Sequence, residues 1–165
     1  MLFSFKRVHV LLMLVGGIFL VVGLVAPWFF LSVDDEYYSM SAFGGLLVDE
    51  LAPGFFNSLA AYVSLCFAVV SVLLSFVSVR LSEVSERKYV AVVSCFAGIC
   101  ALMNIVYLHS WLGLTFPGTP FVCYGSESSC GPMIGYFLTW VAAAFLFAST
   151  YVSRGLTQMS VKAEE

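Results

Sequence analysis

The sequence at residues 79–89 is V-R-L-S-E-V-S-E-R-K-Y, the only strongly charged stretch in the middle of the chain. It holds three of the seven basic residues, Arg80, Arg87 and Lys88. Two long apolar segments precede it and two follow it. This pattern predicts a cytoplasmic turn that joins two helical hairpins of a membrane protein with four spans.

The composition excludes an ordinary soluble domain. Of the 165 residues, 61% are apolar and 10% are charged, whereas a soluble domain has about 25% charged residues. A soluble fold of this composition would expose large apolar patches, so the expected solvent is lipid. Lipid permits only helices and closed barrels, and the apolar runs are far longer than barrel strands of about 9–11 residues. The fold class predicted is therefore an all-α integral membrane protein.

Four apolar segments set the predicted boundaries of a single membrane domain over residues 1–165. About 20 residues cross a ~30 Å hydrocarbon core, and each segment is long enough. A signal peptide is the competing interpretation of the first segment, but its apolar run is too long and no small-x-small cleavage site precedes Pro27. The predicted spans are residues 8–31, 58–79, 89–111 and 133–152, with outer loops at 32–57 and 112–132 and an inner turn at 80–88.

The distribution of basic residues predicts the orientation. All seven Lys and Arg residues fall on one side of the predicted spans, and neither loop on the other side has any. By the positive-inside rule both termini face the cytoplasm. The prediction is a four-helix antiparallel bundle with two extracytoplasmic loops, multi-pass in the cell membrane and in contact with its lipid. Trp28 and Trp111 fall at the outer ends of the first and third spans, where we expect them to act as interface anchors.

Small residues predict how the helices pack. In lipid, burying a large apolar side chain gains little, so helix contacts use small residues. The second span carries a stripe of them spaced three and four apart, a heptad-like face. We expect this stripe to pack inside the bundle, with the second helix at its centre, rather than against a partner subunit. The predicted packing residues are Ala60, Ser64, Ala68, Ser71 and Ser75 in the second span and Ser94 and Gly98 in the third.

Asn104 is the only amide within a predicted span. An unpaired amide in hydrocarbon is costly, so we expect Asn104 to bond to Ser64, to Thr139 or to a backbone carbonyl. Its expected role is to hold helices together. The alternative is a polar site for a ligand.

Cys123 and Cys130 bracket Y-G-S-E-S-S in the second outer loop. Oxidation is the default outside the cytoplasm, so a disulfide is predicted, worth roughly 2–3 kcal/mol for so short a loop. With His109 these cysteines could instead ligate zinc or copper, which a disulfide would prevent. The carboxylates of the first outer loop match no calcium or magnesium loop spacing and are interpreted as a solvated surface.

The outline of four helices with an outer cysteine pair resembles two known groups. Four-helix membrane oxidoreductases that pass electrons from thiols to quinone share it, but they use a C-x-x-C pair, which this chain lacks. Claudin-like tetraspans share the helix count, the internal termini and one extracellular disulfide. Their signature W…G-L-W-C-C is missing from the first outer loop, which has no cysteine. Both resemblances are architectural and assign no residues.

Charged side chains within spans usually mark ion or proton paths. No Asp, Glu, Lys or Arg falls inside a predicted span, so a pump is not expected. His9 is placed at the inner interface as a headgroup contact. The sequence has no nucleophile motif, phosphate loop or His/Glu cluster, and no basic run of the nucleic-acid type. We therefore predict no catalytic residue, cofactor, metal or nucleic-acid partner.

Two function classes remain after these exclusions. The first is a non-catalytic accessory or structural subunit of a larger or homo-oligomeric membrane complex, which works through contacts with other membrane subunits. The second is a membrane oxidoreductase or ligand-binding protein that holds quinone or lipid between its helices. The first predicts a filled interior and outward-facing contact surfaces. The second predicts a cleft near Asn104 and His109.

Overall fold

The computed structural model describes residues 7–33, 36–43, 55–78, 83–115, 123–124 and 128–162. Within them, four helices are long and apolar enough to cross a membrane. This finding indicates a multi-pass membrane protein whose membrane part is all-helical. The helices are α1 (Val8–Val25), α2 (Phe55–Val77), α3 (Glu83–Thr115) and α4 (Ile134–Lys162).

The helices form a ring in which α1 and α3 each pack against both α2 and α4. The most extensive contact joins α1 to α4. In an apolar 18-residue stretch of each helix, 28% of the residues are buried in α2, against 44% in each of the other three helices. The prediction that the second helix is central was therefore wrong. Its small residues do face inward, but a smaller share of its residues is buried than in the other three helices.

Glycines allow α1 and α4 to approach closely. A Cβ atom added to Gly16 would lie 2.9 Å from Cγ of Leu146, and one added to Gly23 would lie 2.8 Å from Oγ1 of Thr139. Helix contacts in membranes depend on such small residues because they bring the two backbones together. The seam between α1 and α4 is therefore the tightest part of the bundle's described interior.

A small four-stranded sheet, which the sequence analysis did not predict, lies at one end of the bundle. Its strand order is β2-β1-β4-β3, and all its pairs are antiparallel. The central pair joins one strand from each predicted outer loop, with Leu31 opposite Cys130. We call this end the sheet end, and the end at Arg7 and Glu86 the charged end. The strands are β1 (Phe29–Val33), β2 (Glu36–Met40), β3 (Cys123–Tyr124) and β4 (Ser128–Pro132).

The helix boundaries differ from the predicted spans at both ends of the bundle. The first helix ends at Val25 rather than at residue 31, because the residue before a proline avoids the helical region and Ala26 is extended, with φ −65° and ψ 156°. At the charged end, α3 already begins at Glu83, within the predicted inner turn, and α4 continues to Lys162.

Candidate functional site

Three ionisable side chains meet at the charged end. Nε2 of His9 lies 3.1 Å from Oε1 of Glu86, and Nη1 of Arg7 lies 3.6 Å from Oε2 of the same carboxylate. His9 and Glu86 are each 2% exposed, whereas the Arg7 side chain is 32% exposed. The cluster joins α1 to α3, which face each other across the ring, so it lies on the bundle axis.

Helical periodicity explains why these polar groups are buried. His9 precedes Met13 by four residues and Gly16 by seven, and both lie on the buried face of α1. Glu86 precedes Val90 by four residues on the buried face of α3. Residues four and seven apart share a helix face. Extending each apolar stripe toward the charged end would therefore have found both residues.

This placement corrects two predictions. The sequence analysis placed His9 among lipid headgroups and Glu86 in the inner turn. The structure places both inside the candidate spans Val8–Val25 and Ser85–Ser110, and both are buried. Glu86 therefore lies in a helix and not in a turn, because α3 begins earlier than predicted. Ionisable groups at such positions are candidates for function.

A chain of hydroxyl groups surrounds the charged cluster. The Ser94 hydroxyl lies 3.1 Å from that of Ser149, which donates to the backbone carbonyl of His9 at 2.7 Å. The Ser153 hydroxyl donates to the backbone carbonyl of Arg87 at 2.6 Å. These bonds connect α1, α3 and α4. Ser149 and Ser153 were missed, although their spacing of four places them on one face of α4.

Asn104 forms a second buried polar group, nearer the middle of the bundle. Its side chain is 1% exposed, and Nδ2 donates to Oγ of Ser64 and, at 2.8 Å, to the carbonyl of Cys100. Ser64 is one of the partners expected from the sequence. Its hydroxyl also lies 3.3 Å from the Cys100 carbonyl, so these residues fasten α2 to α3. Thr139 bonds within its own helix, to Gly135.

The remaining predicted packing residues face the interior or its edge. Two of the serines bond to their own helix: Ser71 donates to the carbonyl of Phe67 and Ser75 to that of Ser71, each at 2.8 Å. They act there as small side chains without an interhelical bond of their own. Ala68, Ser71, Ser75, Ser94 and Gly98 are buried, and Ala60 is half-buried.

Trp28 lies inside the junction between the sheet and the helices. It is 2% exposed, and its indole N–H donates to the Gly23 carbonyl at 2.6 Å. Its backbone bonds both Met40 and Met133, each at 2.7 Å. The structure thus differs from the expectation of an interface anchor, because this tryptophan is buried against α1 and α4. The side chain of Trp111, the second expected anchor, lies outside the described part of the chain.

An aromatic group surrounds Tyr136 at the same end. The Tyr136 hydroxyl lies 2.9 Å from Nε2 of His109, and the rings of Trp28 and Trp140 pack edge-on against the Tyr136 ring. Tyr136 is 8% exposed. The contact with His109 gives its buried hydroxyl a hydrogen-bond partner within the chain. His109 and Asn104, the two residues of the expected cleft, thus both bond to neighbouring helices.

The backbone register places Cys123 directly opposite Cys130 in the hairpin of β3 and β4. Directly opposed residues of an antiparallel pair have Cα atoms about 4.5–5.5 Å apart, which is within the range of a disulfide. The cysteines of the helices, Cys66, Cys95 and Cys100, are free thiols. The disulfide itself stays a prediction.

The described residues bring together no group of three His, Cys, Asp or Glu side chains that could hold a metal ion. What the buried polar groups do is fasten helices: the charged cluster joins α1 to α3, the hydroxyl chain adds α4, and Asn104 joins α2 to α3. No family model, curated protein or solved structure matches this chain.

Proposed function

We propose that this protein is a non-catalytic accessory or structural subunit of a larger or homo-oligomeric membrane complex. The observation that carries the proposal is the unequal burial of the helices. In an apolar 18-residue stretch of each helix, 44% of the residues are buried within the chain in α1, α3 and α4, and 28% in α2. A helix that buries so little of its surface within its own chain leaves the most surface available for contact with another subunit.

The outward side of α2 offers large apolar and aromatic side chains. Tyr62 is 57% exposed, Leu73 is 59% exposed and Phe76 is 66% exposed. Phe67 of α2 stacks on Phe96 of α3, with ring centroids 5.8 Å apart. Aromatic side chains are enriched at the cores of subunit interfaces. This exposed side of α2, centred on Leu73, is the surface that we assign to a partner.

The bundle interior supports a contact role over ligand binding between helices. Asn104 and His109 were the residues around which a quinone or lipid cleft was expected. Asn104 is bonded to Ser64 and Cys100, and His109 to Tyr136. A ligand that replaced Ser64 or Tyr136 as the partner would have to break these bonds and leave buried groups unpaired, which is costly.

We further propose that both termini and the charged end face the cytoplasm and that the membrane is the cell membrane. The basic residues support this orientation, since all seven fall on the side of the predicted inner turn. The sheet then lies outside, where the predicted Cys123–Cys130 disulfide would form.

The first test is purification of the full chain from its native membrane in a mild detergent or nanodiscs, followed by native mass spectrometry. We expect a particle larger than one 18.0 kDa chain, containing further copies or another membrane protein in fixed stoichiometry. A single chain that carries a bound quinone or metal would overturn the proposal.

Replacing Leu73 by Trp tests the proposed contact surface directly. The added bulk has room in lipid but not in a packed interface, so we expect recovery of the complex to fall about tenfold, equivalent to ~1.4 kcal/mol. Met103→Trp on α3 is the matched control, because Met103 is also 59% exposed. Equal recovery with both variants would show that the exposed side of α2 is not the interface.

The disulfide prediction can be tested by counting reactive thiols. Without reduction, we expect an alkylating reagent to label the three helix cysteines alone in the unfolded chain. After reduction it should label all five cysteines. Cys130→Ser should expose the thiol of Cys123 to the reagent in the unreduced protein. Five labelled cysteines before reduction would contradict the prediction.

A further inference from the structure

Two contacting side chains contain most of the unsatisfied polar atoms of the described interior. Four buried side-chain atoms there lack a hydrogen-bond partner: Nδ1 and Nε2 of His9, Oε2 of Glu86 and Oδ1 of Asn104. Nε2 of His9 is within ion-pair range of Glu86 but is not aligned for a hydrogen bond. Because nearly all buried polar groups have partners, this concentration indicates that His9 and Glu86 bind something.

The groups around His9 and Glu86 restrict what the pair can bind. The Arg7 guanidinium lies 3.6 Å from the Glu86 carboxylate and would repel a metal cation. One histidine and one carboxylate also supply fewer protein ligands than most metal sites use. A proton needs no coordination shell, and the lone pair of a buried imidazole nitrogen can accept one. Histidine is also the side chain that most readily exchanges a proton near neutral pH.

We propose that His9 and Glu86 form a buried proton-binding site that exchanges protons with solvent past the partly exposed side chain of Arg7. In the neutral imidazole the proton is on Nε2, the ring nitrogen that lies 3.1 Å from the carboxylate. A proton from water adds to the lone pair of Nδ1, which gives an imidazolium–carboxylate pair, and it returns to water on release. This inference is independent of the proposed function.

Few other charges act on the imidazole. Arg7 at the start of α1 and Arg87 of α3 are the cations whose charge His9 feels. The end of α2 contributes a backbone carbonyl that accepts a hydrogen bond from Arg7. On α4, the hydroxyl of Ser149 donates to the backbone carbonyl of His9 and not to its ring. Burial of the imidazole opposes protonation most strongly, and Glu86 is the anion within the described residues whose charge favours it.

The test is a pH titration of the full chain in nanodiscs, labelled with ¹⁵N-histidine and followed by NMR. The chain has two histidines, so His109 serves as an internal reference. We expect His9 to titrate reversibly. Glu86→Gln removes the facing anion, so the imidazolium should form only at lower pH, with a midpoint moved by at least about one unit, or tenfold in proton affinity.

Arg7→Gln is the second variant, because its partly exposed side chain can be replaced without burying new groups. Removal of the cation should move the midpoint of the His9 titration in the opposite direction, to higher pH. At each pH, the His109 signal of the variant should be the same as that of the wild type. A His9 signal that does not change from mildly acidic to mildly alkaline pH would overturn the proposal and indicate buried water instead. A midpoint that is the same in the wild type and both variants would also overturn it.

Discussion

Replacing Gly135 by Ala is expected to destabilise the protein by about 3 kcal/mol, the upper end of the usual cost of overpacking. A Cβ atom at this position would lie 2.6 Å from the Ala26 carbonyl oxygen, 2.6 Å from Cδ1 of Trp28 and 2.7 Å from the Gly23 carbonyl oxygen. Two of these atoms are backbone at the end of α1, so they cannot move aside as a flexible side chain can. The start of α4 would have to withdraw.

That withdrawal would also break hydrogen bonds at the sheet end. The Gly135 N–H donates to the Pro27 carbonyl at 2.8 Å, and the Met133 N–H donates to the Trp28 carbonyl at 2.7 Å. These bonds attach α4 and β4 to the segment between α1 and β1. We therefore expect the sheet and the α1–α4 seam to loosen together. Denaturant unfolding in mixed micelles would measure the change in the free energy of unfolding.

Gly155→Ala is the matched control, since it makes the same substitution in the same helix. A Cβ atom at Gly155 has nothing within 4 Å. Alanine is the better helix former by about 1 kcal/mol, so this variant should be as stable as the wild type or more stable. If Gly135→Ala unfolds at the same denaturant concentration as Gly155→Ala, the close approach of α1 and α4 at the sheet end is wrong.

The parts of the fold that could be predicted are those that follow from local sequence patterns. Long apolar runs predict four helices because a lipid-facing surface leaves no polar positions. The inward face of α2 follows from the spacing of its small residues, and the bond from Asn104 to Ser64 follows from the cost of a lone amide. Each of these inferences needs only one helix and the chemistry of its solvent.

The parts that could not be predicted depend on distant segments or on a helix end. F-F-L at residues 29–31 continues an apolar run and was taken as helix, with the outer loop starting at Ser32. It becomes a strand because Pro27 ends α1 and β4, about a hundred residues later, pairs with it. Glu86 was assigned to a solvated turn because it is surrounded by charges. Its burial follows from extending the apolar stripe of α3 by one turn beyond Val90, a step that depends on where the helix begins, at Glu83.

Replacing Trp28 by Ala is the second large effect that we expect, at about 3–5 kcal/mol of lost stability, the usual cost of removing a buried aromatic ring. The ring is 2% exposed and packs edge-on against Tyr136, with centroids 6.3 Å apart. Its removal leaves a cavity where α1, α4 and β1 meet. It also leaves the Gly23 carbonyl without the indole donor. Thermal unfolding in detergent, followed by circular dichroism, would measure the loss.

Two further variants separate burial from anchoring at a lipid interface. Trp28→Phe keeps a ring but loses the hydrogen bond, so it should cost about 1 kcal/mol. Trp140→Ala removes a tryptophan that is 45% exposed and should cost far less than Trp28→Ala. An interface anchor would give the reverse order, because the more exposed ring would then contribute more. Since Trp28 is buried and Trp140 is largely exposed, the order of these two losses shows whether the junction of α1, α4 and β1 is packed as described. A packed junction requires Trp28→Ala to be the larger loss.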